Sequence, residues 1–154
     1  MSIAEALATY IGESYAVQRD ELFKWFALPY HEARDGLARA EAALQESRNQ
    51  DPVGSIVPGM LLPALTKAAS RYAALERKVT LLRCVEAIRL YAATHDRRLP
   101  SSLGDISDTP IPKDPVTGGA FVYRLEGKTA RLEGGPLPDQ DSRTSKSYEL
   151  TIRP

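Results

Sequence analysis

The chain has 154 residues, a length that suits one domain and leaves no room for two domains that each bury a large core. Its 20 basic and 20 acidic side chains cancel, which excludes a strongly basic nucleic-acid binder and an acidic disordered protein. One cysteine excludes an intrachain disulfide and a cysteine-rich metal site. No apolar run approaches the roughly 18 residues of a membrane span, and residues 1–11 lack the basic start of a signal peptide. We therefore expect no nucleic-acid partner and no membrane span within this chain.

Two helices are predicted in the first part of the chain. Apolar residues recur at near-fourfold spacing over residues 2–28, which places them on one helical face. Ser2 and Glu5 have the spacing of a capping box, and Pro29 ends the helix because it restricts the residue before it. A second helix is predicted over residues 30–47, folded back on the first as a hairpin.

Residues 48–63 are predicted to form a loop, since prolines and glycines interrupt them, and their apolar side chains predict that this loop packs on the protein. A long helix follows from Ala64 to about His95, within a spine segment of residues 64–98. Over residues 79–93 this helix is apolar around most of its circumference. Such a helix is expected to be covered on several sides.

The last third, residues 99–154, is predicted to form a small sheet. Apolar and polar residues alternate over residues 121–126, 130–132 and 148–152, and Gly127 begins a turn between the first two segments. We therefore predict a single α+β domain over residues 1–154. An N-terminal helical hairpin and a long spine helix would pack on a three-stranded antiparallel sheet, whose apolar face needs a cover.

A set of short segments carries a resemblance to a known family. The segments are Leu90-Tyr91-Ala92-Ala93-Thr94-His95, Arg98-Leu99-Pro100, Pro112-Lys113-Asp114-Pro115, Thr117-Gly118 and Phe121-Val122-Tyr123. Together they resemble the head of the type II secretion pseudopilins, in which a spine helix ends at a tyrosine and a turn-rich segment leads into the sheet. The chain is more closely similar still to the C-terminal region of planctomycete-type bacterial proteins with the same segment. The resemblance covers about residues 75–133.

The resemblance implies an extracytoplasmic domain of a membrane-anchored protein. Many pseudopilin heads also bind calcium in an acidic loop near the C-terminus, and the nearest match here contains Asp139 and Asp141. Carboxylate oxygens are suitable calcium ligands, and Asp105 or Asp108 would be further candidates. The alternative is a solvated turn. No other cofactor is predicted.

One segment is rich in aromatic residues: Phe23, Trp25, Phe26 and Tyr30. Tryptophan and tyrosine are enriched at protein interfaces, so this cluster is a candidate site for a protein partner or for self-association. The alternative is that Phe23 and Phe26 pack into the core and that Trp25 covers them.

The remaining reactive side chains indicate no catalytic site. His31 and His95 are expected at helix ends or on the surface, and Cys84 lies among apolar residues that predict a buried thiol. No residue pattern of a nucleophile, a phosphate loop or a metal pair is present. The sequence favours a non-enzymatic structural or protein-interaction domain. The alternative is a small ligand-binding domain or enzyme with a pocket between helices and sheet.

Overall fold

The computed structural model describes residues 2–135 and 147–151. Its elements, in chain order, are helix α1 (Ile3–Phe26), helix α2 (Tyr30–Gln50), helix α3 (Ile56–Thr94), a short 3₁₀ turn (Leu103–Asp105) and strands β1 (Val122–Glu126), β2 (Thr129–Glu133) and β3 (Ser147–Thr151). This is the predicted α+β architecture. Contacts divide the chain into two compact units, Met1–Ala73 and Ala74–Pro154, with the boundary inside α3. A single domain over the whole chain stays a prediction.

The first unit is helical and has its own apolar core. Leu22 of α1, Leu44 of α2 and Leu62 of α3 are buried there with Ala33 and Leu37. The predicted capping box is present at its start: the Ser2 hydroxyl accepts from the Glu5 amide at 3.2 Å, and the Glu5 carboxylate accepts from the Ser2 amide at 2.6 Å. These two bonds satisfy amides that a helix start leaves without partners.

The predicted loop over residues 48–63 is wrong for most of its length. Helix α2 continues to Gln50 and α3 begins at Ile56, so that only a short turn separates them. Pro58 falls in the first turn of α3, where a proline removes no helical hydrogen bond. The Asp51 carboxylate stabilises the turn by accepting from the Gly54 amide at 2.9 Å and from the Tyr10 hydroxyl at 2.7 Å.

The second unit packs the C-terminal part of α3 against the sheet. Its three antiparallel strands have the order β1-β2-β3, with Leu125 opposite Ala130 and Leu132 opposite Tyr148. The buried core of this unit consists of Leu81, Cys84, Ala87 and Ile88 of α3 with Ile106, Phe121 and Leu132. The helix is therefore the cover that the apolar face of the sheet was predicted to need. Ile152, the end of the predicted third strand, lies outside the described residues.

Candidate functional site

Helix α3 carries two apolar faces in the second unit. Cys84 and Ile88 are fully buried on the face that meets the sheet. Leu75, Val79 and Leu82 lie about half a turn away around the helix, on the opposite face, and are 57%, 44% and 49% exposed. The prediction that this helix is covered on several sides is therefore wrong among the described residues. Apolar residues all around a helix do not show which side of that helix the rest of the chain covers.

Charged side chains border this exposed surface. Glu76 and Arg83 lie on one flank of it and Lys78 lies on the other, and all three are exposed. Among the described residues, none of the three makes an intramolecular ion pair. We define the α3 face as Leu75, Glu76, Lys78, Val79, Leu82 and Arg83. It combines an apolar strip with unneutralised charges of both signs.

The predicted aromatic cluster is divided by the fold. Trp25 and Tyr30 pack against the core of the first unit. The Trp25 ring lies so close to Gly36 of α2 that a Cβ atom there would be 2.2 Å from the ring carbon Cδ2. The cationic groups of Lys24 and Arg39 lie 5.1 and 5.6 Å from the ring centroid, a distance typical of cation–π contacts. Trp25 therefore joins α1 to α2.

The two phenylalanines take the exposed positions instead. Phe23 and Phe26 are 43% and 41% exposed, and their rings meet edge to face with centroids 5.8 Å apart. The alternative in which both phenylalanines enter the core under Trp25 is thus wrong, because the tryptophan is the more buried partner. The role of the four residues as an interaction site stays a prediction.

An apolar cavity of about 120 Å³ opens in the first unit. Its apolar lining comes from all three helices and consists of Val17, Leu22, Ala40, Ala43, Leu44, Leu62 and Pro63. Gln18 also lines it and donates from Nε2 to the hydroxyls of Ser14 and Ser47, at 3.1 and 3.2 Å. Its Oε1 atom is buried and has no hydrogen-bond partner in the described structure. Helices alone form this cavity, so it is not the predicted pocket between helices and sheet.

The segment around Asp114, part of the family resemblance, forms a closed loop before β1. The Asp114 amide donates to the Gly119 carbonyl at 2.8 Å, and the Gly118 amide donates to the Asp114 carbonyl at 2.7 Å. Gly118 has a positive φ of 72°, which glycine adopts without strain. The fully buried Asp114 carboxylate accepts from the Val116 amide at 3.0 Å. These hydrogen bonds fix the turns of the loop.

Arg77 of α3 anchors that loop. Its Nη2 atom lies 2.7 Å from the Asp114 carboxylate and also donates to the Gly135 carbonyl. The two side chains are only 11% and 0% exposed, so the pair is buried. Sequence reasoning missed this contact. The available signal was that Arg77 falls on the same helical face as the buried Leu81, Cys84 and Ile88.

The other reactive groups are held in structural positions. Cys84 is fully buried, as predicted, and burial raises the pKa of its thiol to about 11, so the thiolate is scarce at neutral pH. The His95 ring stacks on Tyr91 at the end of α3, with centroids 3.8 Å apart. His31 lies beside Glu32, 3.6 Å from its carboxylate.

Asp139 and Asp141, the candidate calcium ligands, lie outside the described residues. Asp105, a further candidate, accepts from the amide and the hydroxyl of Ser102, both at 2.9 Å, and these bonds lower the pKa of its carboxyl. Within residues 2–135 and 147–151, no three acidic, histidine or cysteine side chains cluster as a metal site would require. Calcium binding stays a prediction.

No family model, curated protein or solved structure matches the chain. In the part of the chain that the structure describes, no helix is both long and apolar enough to cross a membrane.

Proposed function

We propose that this chain is a non-enzymatic structural domain that binds another protein through the α3 face. One observation carries the proposal: Leu75, Val79 and Leu82 are exposed together on a helix whose opposite side already fills the core. A single exposed leucine is common on soluble proteins, but a contiguous apolar strip marks an interaction surface. Covering the strip would remove its apolar area from water, at roughly 25 cal/mol for each Å².

The setting of the strip also favours binding. Leu75, Val79 and Leu82 are separated by four and then three residues, so they form one row along the helix. The row lies on a helix that packs on the sheet through the core, and the pair between Arg77 and Asp114 holds it to the loop before β1. A partner would meet a surface that needs little ordering, which lowers the entropic cost of association.

We further propose that the second unit is pseudopilin-head-like, which would place it outside the cytoplasm on a membrane-anchored protein. The proposal rests on the sequence segments that resemble the family, and two contacts made by residues of these segments support it. Tyr123 donates from its hydroxyl to the Pro100 carbonyl at 2.7 Å, linking β1 to the segment that follows the spine helix. The loop around Asp114 leads into the sheet in the way that the family's turn-rich segment implies.

A photo-crosslinking amino acid at Leu82 tests the interaction function. We expect a discrete crosslinked product in cells of the source organism, and we expect Leu75→Asp to abolish it by placing a charge in the strip. The matched control carries the crosslinker at Glu126, which is exposed at the end of β1. The proposal fails if position 82 gives no discrete product, or the same products as position 126, while circular dichroism shows a folded chain.

A second candidate function rests on the apolar cavity of the first unit. A cavity lined by Leu44, Leu62 and Pro63 suits a small apolar molecule, for which the buried Gln18 Oε1 atom would accept one hydrogen bond. A ligand at 100 times its Kd would add about 2.7 kcal/mol to the free energy of unfolding. Indole and short-chain alcohols are suitable probes. If they raise the Tm of the wild type but not of Ala43→Leu, which fills the cavity, this second function is favoured.

A further inference from the structure

We propose that the partner of the α3 face is a second copy of this chain, packed antiparallel along the same helix. The inference rests on the proposed function and names its partner. The spacing of the apolar strip and the order of the charges beside it both favour this arrangement.

The apolar strip has the geometry of a helix-pair seam. A four-then-three spacing, as in Leu75, Val79 and Leu82, keeps residues facing one partner helix. In a two-fold symmetric dimer each copy offers the same strip, so the surface need only be complementary to itself. A two-fold axis close to residue 80 places Val79 of each copy against Leu82 of the other, and Leu75 then lies outside this contact, opposite Glu86.

The charges make that antiparallel arrangement self-complementary. Glu76 and Arg83 lie two helical turns apart on the same flank of α3. When two such helices run in opposite directions about that axis, Glu76 of each copy faces Arg83 of the other, giving two ion pairs. Within the described residues neither side chain has an intramolecular ion-pair partner, so dimerisation breaks none.

The flanking charges favour the antiparallel arrangement over the parallel one. In a parallel helix pair, contacts across the seam join residues about five positions apart. Lys78 of one copy would then face Arg83 of the other and repel it, whereas Arg71 would face Glu76 and attract it. The parallel pair therefore combines repulsive and attractive contacts, while both contacts of the antiparallel pair are attractive. A partner helix of a single charge sign is also a poorer match, because it would pair with only one of Glu76 and Arg83.

The dimer is expected to be weak. The strip holds three apolar side chains, far fewer than the roughly 20–30 residues that each partner contributes to a stable interface, so we expect a Kd on the order of tens of micromolar. Exposed ion pairs add little affinity, so their role here is to select the orientation.

Sedimentation equilibrium of the full chain, over concentrations about tenfold below to about tenfold above that Kd, tests the proposal. We expect Glu76→Arg and Arg83→Glu each to weaken self-association at least about tenfold, because each places like charges at both contacts. An equimolar mixture of the two variants should recover association as a mixed dimer, since both of its contacts then join opposite charges. Glu126→Arg, the same charge change on β1, should leave association unchanged.

Three results would overturn the inference. They are a wild-type chain that stays monomeric throughout, an Arg83→Glu variant that associates more tightly, as a parallel pair requires, and a mixture that fails to recover. A monomeric wild type that still forms a crosslink to another protein at Leu82 would leave the proposed function standing. If no crosslinked product forms at that position, the proposed function fails as well. Circular dichroism of each variant ensures that lost association is not lost folding.

Discussion

The guanidinium of Arg48 in α2 takes the place of a backbone donor that Pro63 lacks in α3. A residue at position 63 would normally donate its amide to the carbonyl of Gly59, but proline has no N–H. Arg48 Nη2 instead donates to the Gly59 carbonyl at 2.7 Å. The helix therefore continues through Pro63, because a neighbouring helix supplies the donor.

This relationship predicts a specific coupling between the two positions. Arg48→Met leaves the Gly59 carbonyl without its donor and should lower the free energy of unfolding by about 1–3 kcal/mol. In a Pro63→Ala background the new alanine amide can donate instead, so the same Arg48 change should cost less. A double-mutant cycle from denaturant unfolding measures the difference. Equal costs in the two backgrounds would contradict the assigned role.

The same contact explains why the loop predicted over residues 48–63 is wrong. Proline and glycine are counted as helix breakers, and residues 51–63 contain five of them. Pro63 does remove a helical hydrogen bond, but Arg48 of α2 supplies a replacement donor. The local sequence does not show such a contact between two helices. The strands were easier to predict, because alternation of apolar and polar residues directly marks the buried face of a sheet.

The candidate site was less predictable for a related reason. Arg77 and Asp114 lie far apart in sequence, and only the fold brings them together. The strip of Leu75, Val79 and Leu82 was visible as an apolar pattern, but the face that contains Leu81 and Ile88 is equally apolar. Which of the two faces meets the sheet depends on the path of the chain. The exposure of the strip could therefore be determined only from the structure.

Breaking the pair between Arg77 and Asp114 should be costly. Arg77→Met leaves a fully buried carboxylate without its cation, which should lower the free energy of unfolding by about 3–5 kcal/mol. Adding Asp114→Asn removes that charge but keeps an acceptor for the Val116 amide, so the double variant should be more stable than Arg77→Met alone.

Arg89→Met is the matched control for Arg77→Met. Its partner Glu86 lies on the same helix, but both side chains are mostly exposed, so the change should cost about 0–0.5 kcal/mol. Denaturant unfolding compares the variants. Similar decreases in the free energy of unfolding for Arg77→Met and Arg89→Met would contradict the prediction that the buried pair stabilises the fold more than the exposed pair does.

Gly36→Ala should destabilise the first unit although alanine is the better helix former. At an unobstructed position inside a helix, replacing glycine by alanine would raise the free energy of unfolding by about 1 kcal/mol. At Gly36 the new Cβ would lie 2.2 Å from the Trp25 ring, which must shift and lose its contacts. Gly12→Ala is the matched control in α1, where no atom lies within 4 Å of the Cβ, and it should raise the Tm.

Trp25 is the only tryptophan, so its fluorescence reports the displacement directly. We expect the emission spectrum to change in Gly36→Ala and to stay unchanged in Gly12→Ala. A rise in Tm for both variants, with unaltered emission, would refute the close contact between α1 and α2 at this point.

Tyr123 should make the second unit sensitive to alkaline pH. Burial, reinforced by the charge of Asp105 and by Tyr91, raises the pKa of its hydroxyl from 10.0 to about 12. Because the folded-state pKa is the higher one, this contribution to stability is complete below pH 10 and is lost as the pH rises toward 12. Tyr123→Phe loses the hydrogen bond to the Pro100 carbonyl, which should lower the free energy of unfolding by about 0.5–1.5 kcal/mol below pH 10.

The pH dependence of that difference is the decisive measurement. Cys84, Tyr10 and Tyr30 also have raised pKa values, but their contributions cancel when wild type and Tyr123→Phe are compared at each pH. We therefore expect the gap in the free energy of unfolding to be constant at neutral pH and to narrow between pH 10 and 12, because only the wild type can ionise at position 123. Urea unfolding at a series of pH values measures the gap. A gap that stays constant through this range would mean that the Tyr123 hydroxyl ionises as readily in the folded chain as in the unfolded one.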